Sequence, residues 1–434
     1  MGFALYQAGQ ARAGYESSRQ RFEQIRNLAN TLLFETDDML VGLEGATEVQ
    51  ARLVKNALGY LDQLARNENK DPRLQEELAA AYEKVGDIQG RLGTTNLGQT
   101  AQALESYRKC EAIRESIRSQ ARKADGFIPA SNNLARTYAR ISATLCTMGD
   151  TQGAPNYERK ALGIREALYG GDPDNLEFKR ALASSLTTLS GSLSQVGDFQ
   201  AVADTRREAL KMFEEIVARQ PDSKPDLRGL ALALARMGSI EMHENQLESN
   251  LQHYQRALDI DSRLYLRDTT DVQNRLNKGW AHNNYGLILN RLGRHNDALA
   301  QFSAAKPFFE SVSSADDSDV RGKTLLETNH ARTAETLLSL DRHREALEQA
   351  EISLKGREYL AGLNRYNVGA QGEVAETHVT LGRIKKAMGR IEDARSHFLT
   401  ARNRFEDLIR NERSNFAIKE DLAAVEKEIQ ALAK

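Results

Sequence analysis

Three histidines, His282, His330 and His378, recur 48 residues apart. Imidazole titrates near neutral pH and is the commonest metal ligand. One shared ion would need its donors about 2 Å away, whereas equivalent positions on packed helices lie about 8–10 Å apart. The spacing therefore favours three half-buried, hydrogen-bonded rings over a metal ladder, with a pH-sensitive packing column as the functional alternative. His243-Glu244 is not followed by a second His at zinc-protease spacing. Cys110 and Cys146 have no basic or histidine neighbour in sequence and read as small apolar packing residues. Two cysteines exclude a disulfide scaffold and a cysteine zinc site. No Walker loop, dinucleotide fingerprint or paired-carboxylate constellation stands out, so no catalytic residue, cofactor site or metal site is assigned.

Charge and hydropathy narrow the classes further. The 434 residues carry 59 basic and 61 acidic side chains, a formal net charge of −2. Such a chain has no global basic field to recruit nucleic acid. Its Lys and Arg lie one helical turn from Glu and Asp, which reads as solvated pairing. With 28% charged and 40% apolar residues, it is a folded protein and not a disordered one. No apolar run approaches membrane-spanning length. Met1 to Ala8 is apolar but too short for a signal peptide and lacks a basic leader. As given, the chain therefore reads as cytoplasmic. Only 7 prolines favour long uninterrupted helices.

The elements that must position these residues form a repeat. A turn signal recurs at Gly86-Asp87, Gly149-Asp150, Gly197-Asp198, Gly293-Arg294, Asp341-Arg342 and Gly389-Arg390. From Gly149 onward the period is 48, with the empty slot at Asn245. The first interval is 63 residues, and its excess is assigned to a glycine-rich insertion, Gly90 to Gly98. Small residues follow the turns at Ala154, Ala298, Ala346 and Ala394, and again at Ala161, Ala209, Ala257, Ala305 and Ala401. Aromatics follow at Tyr254, Phe302 and Phe398, and glycines precede at Gly238, Gly286 and Gly382. Small residues let two antiparallel helices approach, and the aromatic is expected to fill the gap between neighbouring pairs. Pro155 sits near a helix start, and Pro307 is expected to end or kink a second helix.

This pattern resembles the tetratricopeptide repeat with lengthened helices. Tyr285-Gly286 with Ala298, Phe302 and Ala305 matches its signature, as does Leu381-Gly382 with Ala394, Phe398 and Ala401. The resemblance implies an all-α, right-handed superhelical solenoid. Its expected parts are a lead-in (1–14), an N-terminal helix pair (15–68), seven helix–turn–helix units (69–411) and a C-terminal capping helix (412–434). A second resemblance rests on Arg21-Phe-Glu-Gln-Ile-Arg-Asn-Leu-Ala-Asn30, Leu43-Glu-Gly-Ala-Thr47, Ala57-Leu-Gly-Tyr-Leu-Asp62, Leu78-Ala-Ala-Ala-Tyr82 and Ala103-Leu-Glu-Ser-Tyr-Arg108. These resemble the C-terminal region of bacterial transmembrane serine/threonine kinases that carry such repeats. That resemblance implies a kinase domain and one membrane helix upstream, an extracytoplasmic location, and Phe3 to Tyr6 as the end of that helix. The kinase's own motifs are missing: Asp341-Arg-His343 and Gly197-Asp-Phe199 have kindred letters but fall at repeat turns.

A stacked array exposes a long groove and suits protein or peptide recognition. The inner wall is expected three, six and ten residues before each turn. That selects Asn290, Leu287 and Asn283 with Trp280, then Leu338, Glu335 and Ala331 bordered by Arg332, then Lys386, Arg383 and Val379. Amide and guanidinium donors there suit a carboxylate, and Trp280 supplies contact area. The candidate groove is thus Trp280, Asn283, Asn290, Arg332, Arg383 and Lys386, and its ligand an acidic peptide. The wall at Ser184, Thr187, Gly191 and Ser194 is small and polar, open to another backbone. The expected function is a non-catalytic interaction scaffold, as the sensor or docking region of a receptor-type kinase. A free-standing scaffold and a peptide-responsive switch are the alternatives, and a second copy of the chain is among the partners the surface leaves open.

Overall fold

A computed structural model describes residues 46–66, 72–90, 98–121, 127–241, 247–315, 320–411 and 416–432. The described residues form sixteen helices and no strand: α1 (Ala46–Arg66), α2 (Pro72–Gly90), α3 (Thr100–Gln120), α4 (Phe127–Met148), α5 (Gly153–Gly171), α6 (Leu176–Val196), α7 (Phe199–Arg219), α8 (Lys224–Glu241), α9 (Leu247–Arg267), α10 (Val272–Arg291), α11 (His295–Ala315), α12 (Val320–Ser339), α13 (His343–Leu363), α14 (Val368–Ala387), α15 (Ile391–Arg410) and α16 (Phe416–Ala431). The expected turn at Asn245 and the segments 1–41 lie outside the described residues.

The chain packs as two compact units, residues 1–137 and 138–434, and the boundary falls within α4. In the second unit each helix packs on the next along the chain, from α6 to α16. The turns are built alike. Gly149, Gly197, Gly293 and Gly389 take positive φ of 79°, 82°, 74° and 74°, and Asp341 takes 56°. The following amide reaches back five residues in each: Asp150 to Leu145, Asp198 to Leu193, Arg294 to Leu289, Arg342 to Leu337 and Arg390 to Lys385. This is a left-handed helix stop that satisfies orphan carbonyls, and aspartate is one of the few non-glycine residues that tolerates it. Helix starts repeat too. Asn175, Asp271 and Asn367, each 22 residues before a turn, cap α6, α10 and α14 by accepting from backbone amides.

The small residues lie where helices cross. Ala154, Ala298, Ala346 and Ala394 have no exposed surface, nor do Ala161, Ala305 and Ala401. The aromatics do more than fill gaps between neighbouring pairs, where Tyr254 and Phe398 cluster with residues of the next first helix. Each lies on the glycine of its own pair's first helix. A Cβ on Gly286 would stand 2.6 Å from Phe302 Cε1, on Gly382 2.5 Å from Phe398 Cε1, and on Gly238 2.7 Å from Tyr254 Cε2.

Two local expectations change. The helix runs through Gly86 to Gly90, so Gly86-Asp87 is not a turn. Gly86 instead receives the Tyr107 ring, 2.6 Å from an added Cβ, and the positive φ sits at Gly98. Pro307 does not end its helix, since α11 continues from His295 to Ala315.

The first unit is tied by a charged node. Arg114 is completely buried on α3. It donates to Glu76 on α2 at 2.8 Å, to Thr137 Oγ1 at 2.8 Å, and to Glu83. Glu83 is in turn held by Arg136 at 2.6 Å. Cys110 packs beside it, 3.4 Å from Thr137 Oγ1, and burial pushes its thiol up to about 12.

Gly286→Ala is expected to destabilise the chain by about 1–2 kcal/mol, because the methyl group meets a buried ring. Gly163→Ala, where a Cβ meets nothing within 4 Å, is expected to be neutral or to stabilise by about 1 kcal/mol. Urea unfolding of both variants checks this, and equal effects would contradict the interlock.

Candidate functional site

The first helices carry equivalent side chains in rows. Nine residues before each turn, and continuing in steps of 48, stand Thr188, Arg236, Asn284, Arg332, Thr380 and Glu428. Six before each turn stand Gly191, Ser239, Leu287, Glu335 and Arg383. Contacts run from the six-back residue of one unit to the nine-back residue of the next. Thr380 Oγ1 donates to Glu335 Oε1 at 3.4 Å. Arg383 Nε donates to Glu428 Oε1 at 3.0 Å, joined by Lys386 Nζ to Oε2 at 3.2 Å. Within the nine-back row, Arg332 Nη1 donates to Asn284 Oδ1 at 3.2 Å.

In this register the residue opposite Arg236 is Gly191 and the residue opposite Arg332 is Leu287, and neither offers a side-chain acceptor. The guanidinium of Arg236 makes no ion pair or hydrogen bond among the described residues. Its side chain is exposed to solvent. Burial holds Arg332 below the usual arginine range.

Tyr254 is part of the core beneath these helices. Its ring is 4% exposed, lying on Gly238. Burial raises its hydroxyl pKa, and four guanidiniums, Arg332, Arg206, Arg236 and Arg291, oppose that shift. Arg206 is only 5% exposed. It donates to Ser190 Oγ at 3.1 Å, to the Arg236 carbonyl at 2.7 Å and to Ser239 Oγ at 2.7 Å. No carboxylate pairs with it. Burial first, then repulsion from Arg236, bring it down to about 10. Further along, the sign reverses. Burial raises Glu376 to about 7; Arg357 opposes the shift, and Glu373, Asp421 and Glu335 reinforce it.

The expected groove residues separate into groups. Asn283 is fully buried in the seam between units, accepting from Asn329 Nδ2 at 2.8 Å. Ala331 and Val379, its equivalents ten before the turn, are buried as well. Nine back, Asn284 and Thr380 are as buried as these, while Arg236 is exposed and Arg332 half-buried. Trp280 is half-buried against the cluster that contains Tyr254, Ala257 and Ile288. Asn290 is tied to the next helix by His295 Nδ1 at 2.6 Å. Arg332 is half-buried and bonded to Asn284, while Arg383 and Lys386 are engaged by Glu428 of α16. Arg206, Arg236, Arg291 and Tyr254 escaped the sequence reading. Counting the nine-back row would have exposed Arg236, but nothing local marks Arg206 or Arg291.

The last helix also reaches back within this unit. Phe416, at the start of α16, sits edge-on to Phe199 with centroids 5.2 Å apart, and its ring covers Gly197, 2.7 Å from an added Cβ. The row of first helices from α6 to α16 thus bends far enough for its last member to touch the α6–α7 turn.

The histidine column is hydrogen-bonded. His282 pairs with Gln301 at 2.8 Å, His330 with Gln349 at 2.7 Å, and His378 with His397 at 3.0 Å. Burial lowers all four rings, taking His378, which also feels His397 and Arg404, down to about 4. Cys146, beside Ser192 at 3.3 Å, is raised by burial. Among the described residues no three His, Cys, Asp or Glu side chains are grouped to hold a metal ion, and no described helix is long and apolar enough to cross a membrane.

No family model and no curated protein matches the sequence. Solved structures do. Aspartyl phosphate phosphatase F from Bacillus subtilis matches with a TM-score of 0.51 and 10% identity over 88% of this chain and 93% of that one. The apo quorum sensor NprR from B. thuringiensis gives 0.47 and 15% over 91% and 93%. A signal-transduction ATPase with a tetratricopeptide repeat sensor, from Pyrococcus horikoshii, gives 0.46 and 12% over 92% and 52%. At such identities the likeness is one of fold. The chain is an all-α helical-repeat protein of tetratricopeptide-like architecture.

The histidines supply a pH prediction. In the unfolded chain they take protons near pH 6.5, and in the fold they resist until lower pH, so the unfolded state binds more protons in between. Stability is expected to fall as pH drops from about 6.5 towards 4. His378→Gln is expected to flatten that fall. Melting temperatures of both proteins between pH 7 and 5 check it, and parallel curves would contradict it.

Proposed function

We propose that the first-helix face of residues 138–434 is a docking groove for peptide or protein segments, and that the chain is a non-catalytic scaffold. One observation carries the reading. The face already holds an acidic helix of the chain itself, with the Glu428 carboxylate clasped by Arg383 and Lys386. The same rows continue through α12, α10 and α8, where Arg332 and Arg236 make no ion pair among the described residues. A groove that grips one acidic segment at its end and presents unpaired guanidiniums along its length is built for an anionic chain.

The resemblance of residues 21–108 supports a finer reading, in which the scaffold is the docking or sensor region of a receptor-type bacterial serine/threonine kinase. The gene upstream of Met1 decides between that and a free-standing scaffold. A kinase domain followed by a membrane helix is the expected content, and an unrelated frame would contradict it.

Docking itself is tested by selecting binders from a degenerate peptide library and mapping amide hydrogen exchange. Protection is expected on α8, α10 and α12. Protection confined to the second helices, α9, α11 and α13, would reject the groove.

A further inference from the structure

The last helix, α16, has two attachments that lie far apart. At its start the Phe416 ring stands edge-on to Phe199, centroids 5.2 Å apart, and covers Gly197 at the α6–α7 turn. Twelve residues on, Glu428 is clasped by Arg383 Nε at 3.0 Å and Lys386 Nζ at 3.2 Å, both on α14. At about 1.5 Å per residue these points stand about 18 Å apart on one helix. α16 thus ties α14 to α6, at the far end of the row of first helices.

A helix that only capped α14 and α15 would need neither tie. Its apolar face suffices for that: Ile418, Leu422, Val425 and Ile429 join the cluster of Val379, Phe398 and Phe405. Of that face only Ile418 and Val425 are buried, a light grip for a helix of 16 residues. Asp421, in mid-helix, adds a like charge beside Glu376. The ties at the two ends therefore carry much of the hold. Charge suits the seat as well. Residues 416–432 carry four acidic and two basic side chains, set against Arg383 and Lys386.

We propose that α16 is the groove's resident occupant: an acidic amphipathic helix that holds the Arg383–Lys386 seat and must be displaced before another acidic amphipathic helix can take it. That an outside segment binds this face rests on the docking reading above. Tethered to its own chain, α16 competes at an effective concentration of about millimolar, which closes the seat to weaker partners until the helix lets go. α16 moves as a rod, so loss of the Glu428 clasp also loosens Phe416 at the α6–α7 turn.

Amide hydrogen exchange on the full chain tests the occupancy. Phe416→Ala with Glu428→Gln removes both ties and leaves the apolar face of α16 intact. Amides of α16 are expected to exchange at least tenfold faster than in wild type. Those of α15 are expected to be unchanged, which shows that the variant remains folded. A labelled peptide of residues 416–432 then probes the vacated seat. It is expected to bind the double variant at least tenfold more tightly than wild type. Adding Arg383→Gln and Lys386→Gln to that variant is expected to remove the gain. Unchanged exchange in α16 would overturn the brace. Release of α16 without a gain in peptide binding would overturn resident occupancy, while the docking reading still stands or falls on the protection of α8, α10 and α12. A gain that survives the loss of Arg383 and Lys386 would place the peptide elsewhere and overturn the seat.

Discussion

The architecture depends on one steric constraint: in three of the helix pairs an aromatic ring of the second helix lies directly on a glycine of the first. Phe302 on Gly286, Phe398 on Gly382 and Tyr254 on Gly238 leave no room even for a methyl group. The two helices are therefore held at one separation, and the tight turn between them has one workable geometry. Small residues at the crossings do the rest. Units identical in separation and turn stack in one register, and that register creates rows of side chains along the first helices. Without the interlock there would be no ladder of six-back to nine-back contacts.

The ladder explains why charge is paired in one stretch of the second unit and unpaired in another. Where the six-back residue is Glu335 or Arg383, the next unit supplies Thr380 or Glu428 and the rung closes. Where it is Gly191 or Leu287, that residue gives the facing Arg236 or Arg332 no side-chain acceptor, and Arg332 bonds Asn284 of its own row instead. A buried arginine without a carboxylate is costly in an isolated fold. Arg206 is such a residue, with hydrogen bonds to two serines and a carbonyl in place of an anion. Arg114 in the first unit shows the contrasting solution. It is equally buried, but it is surrounded by Glu76 and Glu83 and needs no external anion.

Much of the fold was legible because it is written in glycine, alanine and aromatic residues at a constant step. The turns at Gly149, Gly197, Gly293, Asp341 and Gly389 and the buried alanines follow from spacing alone. Gly86-Asp87 misled because glycine serves two roles here, as a left-handed helix stop and as a seat for an aromatic. Only tertiary contact with Tyr107 distinguishes them. The groove was harder. One residue along a helix turns the face by about 100°, and Asn283, expected on the wall, lies in the seam. Arg383 and Lys386 were correctly placed on the solvent side of α14, but their engagement by α16 depends on where the chain's last helix folds. Arg206 does not show the repeated signature of its position, so its burial without a carboxylate emerges only in three dimensions.

The central claim is that regular stacking leaves Arg236 and Arg291 exposed on the first helices with no ion pair among the described residues. Arginine-selective dicarbonyl labelling of the native chain, read by mass spectrometry, tests it most directly. Rapid modification of Arg236 and Arg291, with Arg114 protected until the chain unfolds, is the predicted pattern. Protection of Arg236 equal to that of Arg114 would show that its charge is already covered or paired, and would contradict the account.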